Sequence, residues 1–321
     1  MRTLKASVVI PTLNAGPEFE ETLEAISSQS GGFDLEMVVV DSGSTDGTPE
    51  LAERFGAKVV RIPKSEFTHG GARNLGISHS SGEFVALTVQ DATPLDDSWL
   101  AALVGNLADD EKVAVAYSRH VPRPDAGSLT RAVVGGLAWA EDERRVQEMG
   151  SPEKYRAMSP MERRLLCAFD NVSSCIRRSV WEEFPFEETS FAEDLRWGKR
   201  VIESGRKIVY EPRSAVVHSH ERGALYDLRR SYVDALAISE LFNTRLVENL
   251  PRLALGTALT ARRMESLLRS EGKNSPKRAA LALRFALTSQ GGAYLAGKEE
   301  AMARASPKLH AKVHRFLGKG V

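Results

Sequence analysis

The chain has 321 residues, 42% hydrophobic and 27% charged, with 43 basic and 43 acidic side chains and therefore no net charge. This is the composition of a globular protein able to build a core, and its charge balance points to no nucleic-acid partner. Two cysteines eight residues apart, Cys167 and Cys175, suit neither a disulfide scaffold nor a cysteine metal site, and no apolar run approaches the roughly 18 residues of a membrane span.

The first 120 residues alternate short apolar runs with helical patterns. SVVIP (7–11), MVVVD (37–41), KVVRI (58–62), FVALT (84–88) and VAVAY (113–117) are rich in β-branched residues and continuous rather than alternating. Such runs predict strands buried on both faces of a mostly parallel sheet. Helices are predicted at roughly 17–30, 48–56, 70–80 and 97–108, the second opened by Thr48 followed by Pro49. The alternation predicts a doubly wound α/β fold.

Ligands of open α/β sheets bind outside the carboxyl ends of the strands, so the polar residues there matter most. The first strand runs into Pro11, Thr12 and Asn14. The second ends at Asp41 before SGSTDGT, and the fourth leads to Gln90 and Asp91. Asp41 can accept an imide N–H from a uracil or thymine base, or it can cap its own turn. HGGARNLG (69–76) sets two glycines before Arg73 and Asn74 at a helix start, which suits close approach of an anion such as a diphosphate. An ordinary helix start reads the same way, and the segment lacks the GK[ST] ending of a Walker loop. A carboxylate such as Asp91 beside a diphosphate suits Mg2+ or Mn2+.

Residues 122–165, with prolines, a Gly-Gly and dense mixed charge, predict a helical insertion able to order over a bound ligand. Strand signals return near 167–177, at 207–212 and at 214–220. The last of these carries His218 and His220 on one face, where either can join Asp91 at a metal. Between them, FAEDLRWGKRVIESG (191–205) opens an amphipathic helix on Glu193 and Asp194. Acids there complement the helix dipole, and one of them can instead serve as a base. Trp197 can stack on a sugar or fill the core. Asn171, Ser173 and Ser174 can line an acceptor or form a polar loop. From Tyr226 onward the chain is helical in pattern, and residues 251–321 carry 14 Lys/Arg against 4 Asp/Glu. That basic surplus suits an anionic surface or a solvated helical face.

Taken in order, SVVIPTLN, VVVDSGSTDGT, HGGARNLG, the acid at 91 and the Glu-Asp pair resemble family-2 glycosyltransferases of the GT-A fold over about residues 1–225. FTHGGARN with QDATP most resembles the bacterial rhamnosyltransferase branch. The resemblance implies a GT-A nucleotide-sugar-binding and catalytic domain at 1–225 and a basic C-terminal helical region at 226–321. It also implies an inverting transfer, from a nucleotide-sugar donor such as dTDP-rhamnose to a glycan or polyprenyl-linked acceptor. Pro11, Thr12, Asn14, Asp41, Arg73, Asn74 and Gln90 would hold the donor. Asp91 with His218 or His220 would hold Mg2+ or Mn2+. Asp194 would be the base, with Glu193, Asn171 and Trp197 on the acceptor side. Many relatives carry Asp-x-Asp at the fourth strand end, whereas here Thr88-Val89-Gln90 precedes a single acid, which weakens the expectation of strict metal dependence. Two rival readings are a sugar nucleotidyltransferase, disfavoured because PTLNAGPEFEE has no basic residue, and a non-catalytic nucleotide-sugar scaffold. MRTLKASVVIPT has no apolar region of signal-peptide length. A cytoplasmic setting is expected, with the C-terminal helices making peripheral contact at the inner face of the plasma membrane or forming a homo-oligomer.

Overall fold

The computed structural model describes residues 4–189, 191–270 and 276–318. The chain forms two compact units. One runs up to Val121 and includes Ala138–His218; the other comprises Pro122–Leu137 and the chain from Ser219 onward.

The first unit is built on a nine-stranded sheet. Its strands are β1 (Lys5–Thr12), β2 (Asp34–Asp41), β3 (Lys58–Arg61), β4 (Phe84–Thr88), β5 (Thr93–Pro94), β6 (Val113–Val121), β7 (Arg145–Gln147), β8 (Ser173–Arg177) and β9 (Lys207–Val217). The order is β3-β2-β1-β4-β8-β6-β9-β5, with β7 also on β9. Val8, Val9 and Ile10 of β1 lie beside Met37–Val39 of β2, and Val8 and Val9 lie beside Ala86 and Leu87 of β4. These side chains are buried whichever face they point to, which is why the strands read as unbroken apolar runs. The pairs β1–β2, β1–β4, β2–β3 and β6–β9 are parallel. β8 enters antiparallel between β4 and β6, and the short β5 and β7 pair antiparallel with β9. The two strands predicted at 207–212 and 214–220 are one. Its register with β6 shifts between Ser118 and Arg119, opposite the stretch holding Pro212, where an irregularity absorbs a residue that cannot donate to the ladder.

Helices α1 (Glu18–Ser27), α2 (Thr48–Arg54), α3 (His69–Ser78) and α4 (Trp99–Asp109) connect the strands of the first half. The predicted insertion at 122–165 divides between the units. Its α5 (Ser128–Gly135) belongs to the second, while β7, α6 (Pro152–Ala157) and α7 (Pro160–Cys167) belong to the first. Serine caps at Ser151 and Ser159, each followed by proline, start α6 and α7. The first unit is completed by α8 (Arg178–Glu183) and α9 (Glu193–Glu203).

In the second unit, α5 is joined by α10 (Ala224–Phe242), α11 (Leu250–Ser270), α12 (Pro276–Ala296), α13 (Glu299–Ala305) and α14 (Pro307–Leu317). One apolar cluster gathers Tyr232, Ala235, Val247, Ala293, Ala296 and Leu317, and a second gathers Ala132, Met264, Leu268 and Ala282. Among the described residues no helix is long and apolar enough to cross a membrane.

Candidate active site

The pairing pattern puts the carboxyl ends of β1, β2, β4, β6 and β9, together with the amino end of β8, along one edge of the sheet. At the β1–β2 corner, Asp41 is buried. Its Oδ1 accepts the backbone N–H groups of Gly43 (3.0 Å) and Ser44 (2.9 Å). Its Oδ2 accepts the hydroxyls of Thr12 (3.0 Å) and Ser44. A carboxylate offers about four acceptor positions, so the chain itself fills them. Asn14, in the left-handed region at φ 46, takes a hydrogen bond from Thr45 N on its Oδ1 and gives its own N–H to Ser44 Oγ at 2.7 Å. The loop after β1 is thereby laced to the loop after β2. Gln90 adds a link to β4: its Oε1 accepts Leu13 N–H at 2.8 Å, and its Nε2 donates to Leu13 O at 3.4 Å.

Farther along the edge, Asp91 lies 3.8 Å from His218 Nε2. A carboxylate and an imidazole make a donor pair suited to a first-row divalent cation. The His218 ring meets His120 of β6 edge-on at 5.8 Å, and His120 Nε2 lies 4.0 Å from Asp170. Burial pulls the His120 imidazole below its ordinary pKa, against the opposing charge of Asp170, and its Nε2 has no hydrogen-bond partner among the described residues.

The start of α9 closes the edge. Ala192 stands before it in the left-handed region (φ 59, ψ 34), a conformation a residue with a Cβ adopts at a cost of order 1–3 kcal/mol. Glu193 and Asp194 are successive helical residues, about 100° apart around the axis, and their environments differ accordingly. Glu193 turns inward: its Oε1 accepts Arg73 at 2.7 Å and Asn171 Nδ2 at 3.4 Å. Asp194 is only partly covered, and its Oδ1 accepts the Leu195 N–H at 2.7 Å. Burial holds the Asp194 carboxyl well above the usual carboxylate range. The charges of Glu193 and Asp170 push the same way, against the Leu195 hydrogen bond and Arg73.

The structure gives several of the sequence-predicted residues other partners. Arg73 is buried and neutralised by Glu193, since a buried guanidinium needs a counter-charge; it also donates to His69 O and Asn171 O. Asn74 bonds Phe186 O (2.8 Å), Phe186 N (3.0 Å) and Trp181 Nε1 (2.8 Å), so its amide ties α3 to α8 and the chain after it rather than reaching a ligand. The space beside Gly70 is likewise taken by protein, because a Cβ there would sit 2.0 Å from Glu187 O. Trp197 is 1% exposed, stacked on Phe186 and bonded to Phe184 O, which makes it core and leaves no face for a sugar. Asn171 is buried, held between Glu193 and Ser174. Pro11 is a β1 residue paired with Val40. His120 and Asp170 are additions to the expected set. His120 stands alone in the sequence with no motif around it, and Asp170 passes for part of a polar loop.

The family profile described as Glycosyl transferase family 2 matches residues 7–169. The chain is 28% identical over 235 residues, 70% of each protein, to the O-antigen chain rhamnosyltransferase WbaN of Salmonella anatum. It is 31% identical over 222 residues, 68% of this chain and 67% of the other, to the O-antigen chain rhamnosyltransferase RfbN of Salmonella typhimurium. Among solved structures, residues 1–349 of S. aureus TarS superpose with a TM-score of 0.54 at 19% identity, covering 98% of this chain and 87% of that one. The mannosyltransferase PcManGT of Pyrobaculum calidifontis, solved with GDP-Man and Mn2+, gives 0.52 at 22% identity, covering 98% and 79%. These likenesses show a GT-A-like fold.

Proposed function

The chain belongs to glycosyl transferase family 2 and is a glycosyltransferase; from that premise we propose an inverting transfer of rhamnose from dTDP-rhamnose to a glycan or polyprenyl-linked acceptor of surface polysaccharide. The observation that carries the mechanism is the elevated carboxyl of Asp194, poised at a helix start on the edge that also bears Asp91 and His218. A carboxylate whose proton affinity is raised is better matched to taking a proton from a hydroxyl than an ordinary one. The acceptor oxygen gives its proton to Asp194 and attacks the anomeric carbon from the face opposite the diphosphate. The bond from that carbon to the diphosphate oxygen breaks, and the nucleoside diphosphate leaves with the electron pair.

Asp91 and His218 would hold a divalent cation, and an imidazole donor suits Mn2+ better than the oxygen-seeking Mg2+. When bound, such an ion supplies positive charge to the departing diphosphate, worth several kcal/mol. Thr12, Asn14 and Asp41 hold the paired loops against which the nucleoside lies. A base N–H reaches Asp41 Oδ2 by displacing the Ser44 hydroxyl. Gln90 acts indirectly, by fixing the β1 end. Arg73 and Asn171 act through Glu193, which they hold at the α9 start. Rhamnose as the sugar rests on the two O-antigen chain rhamnosyltransferase relatives.

On α11 the exposed Leu255 and Leu259 lie in one stripe with Arg252, Arg262 and Arg263, and α12 exposes Leu283 and Leu287. This pattern supports peripheral contact with an anionic membrane face.

The test is turnover. Purified protein is offered dTDP-rhamnose and UDP-sugars with a lipid-linked acceptor, with and without Mn2+. Release of dTDP with formation of a rhamnosylated acceptor of inverted anomeric configuration is expected. Binding of the nucleotide sugar without turnover under any condition would favour a scaffold, and transfer with retained configuration would rule out the base mechanism.

A further inference from the structure

The second unit contains a cluster of metal-binding groups that the transfer reaction does not use. Glu299 is the first residue of α13, and His310 and His314 stand four apart on α14, on one helical face. His310 Nε2 contacts one oxygen of the Glu299 carboxylate, and His314 Nδ1 lies 3.1 Å from the other. The two imidazoles are stacked at 5.9 Å with planes 25° apart, and one ligand atom from each of the three residues lies within 4.8 Å of the others. The hydroxyl of Tyr232, a fully buried residue of α10, is 3.1 Å from His314 Nδ1.

A simple surface ion pair explains little of this. Such pairs contribute roughly 0–1 kcal/mol, and one would not require two imidazoles to converge on the two oxygens of a single carboxylate. Two nitrogens and a carboxylate drawn from an i, i+4 histidine pair and a neighbouring helix make a common set for Zn2+, which binds such groups at about 2.0–2.2 Å. No thiolate is present to favour softer ions, and too few oxygens to hold Ca2+ or Mg2+. Half of the His314 side chain is open to solvent, which leaves room for water as a fourth ligand.

We propose that Glu299, His310 and His314 bind one divalent transition-metal ion of the zinc class. The ion clips α13 to α14.

The full chain and its His310→Gln/His314→Gln variant are titrated with Zn2+ by calorimetry, with circular dichroism confirming that both are folded. The variant binds one equivalent fewer than the wild type and loses the part of the Zn2+-dependent rise in melting temperature that His218→Ala keeps. Glu299→Gln keeps both imidazoles and binds more weakly, by at least the roughly 10–100-fold that loss of an outer partner costs. If the double variant is poorly folded, the single His314→Gln substitution at the more exposed ring gives the same reading. Equal stoichiometry in wild type and variant, or no Zn2+ binding by the wild type, overturns the proposal.

Discussion

Asp194 is held where its ionised form is disfavoured, and this has a measurable consequence. The native state keeps the proton to a higher pH than the unfolded chain, because burial and the charges of Glu193 and Asp170 lift the carboxyl pKa. Stability therefore falls as pH rises from the ordinary carboxylate range through the elevated value, and above that range the group works against folding. Asp194→Asn should raise the melting temperature at pH 7–8 while lowering transfer about 10²–10⁴-fold and leaving donor binding intact. In the wild type, kcat/KM should climb through an acid limb lying above the usual carboxylate pKa; a flat profile there would remove Asp194 as the base. Glu193→Gln should do the opposite to stability. It strands the Arg73 cation in the interior and should cost about 3–5 kcal/mol in urea denaturation. Residue types were legible in the sequence, since acids at the ends of the second and fourth strands and a Glu-Asp pair at a helix start are visible as such. Their partners were not. Arg73 finds its counter-charge 120 positions away, and only the folded chain shows that Glu193 occupies the cation expected to meet phosphate.

At the scale of elements, α9 aims the base, and its seat is tight. Gly198 packs so closely on α7 that a Cβ would stand 2.1 Å from Cys167 O, a backbone atom that cannot swing aside. Gly198→Ala should cost about 1–3 kcal/mol and lower kcat by shifting the helix start. Gly105→Ala on α4, where a Cβ meets nothing within 4 Å, should instead stabilise by about 0.5–1 kcal/mol with unchanged kcat. Denaturation midpoints paired with turnover numbers separate the two outcomes. Strands β1, β2, β4 and β6 were readable because burial on both faces forces unbroken apolar sequence. β5 has two residues and β7 three, too few to show a period, and both exist only because β9 offers them an edge. Pro212 broke the reading of β9 in two, whereas the strand passes it as a local irregularity.

For the whole molecule, the charge asymmetry makes its own prediction. Flotation with anionic liposomes should recover the protein at low salt and lose it as ionic strength rises, and Leu255→Ser/Leu259→Ser should weaken recovery without altering transfer to a water-soluble acceptor. Salt-independent recovery, or none, would count against membrane contact. The order of the sheet also bears on how the protein is made. β4 and β6 are neighbours of β8, not of each other, so the strand that joins them is translated only after both. A ribosome moving at ~5–20 residues per second leaves the apolar edge of β6 unpaired for roughly 3–11 s and that of β4 for roughly 4–18 s. During that interval the nascent chain presents an open template to any other strand in the cell, so its yield should depend on chaperones that shield it until the missing strand emerges.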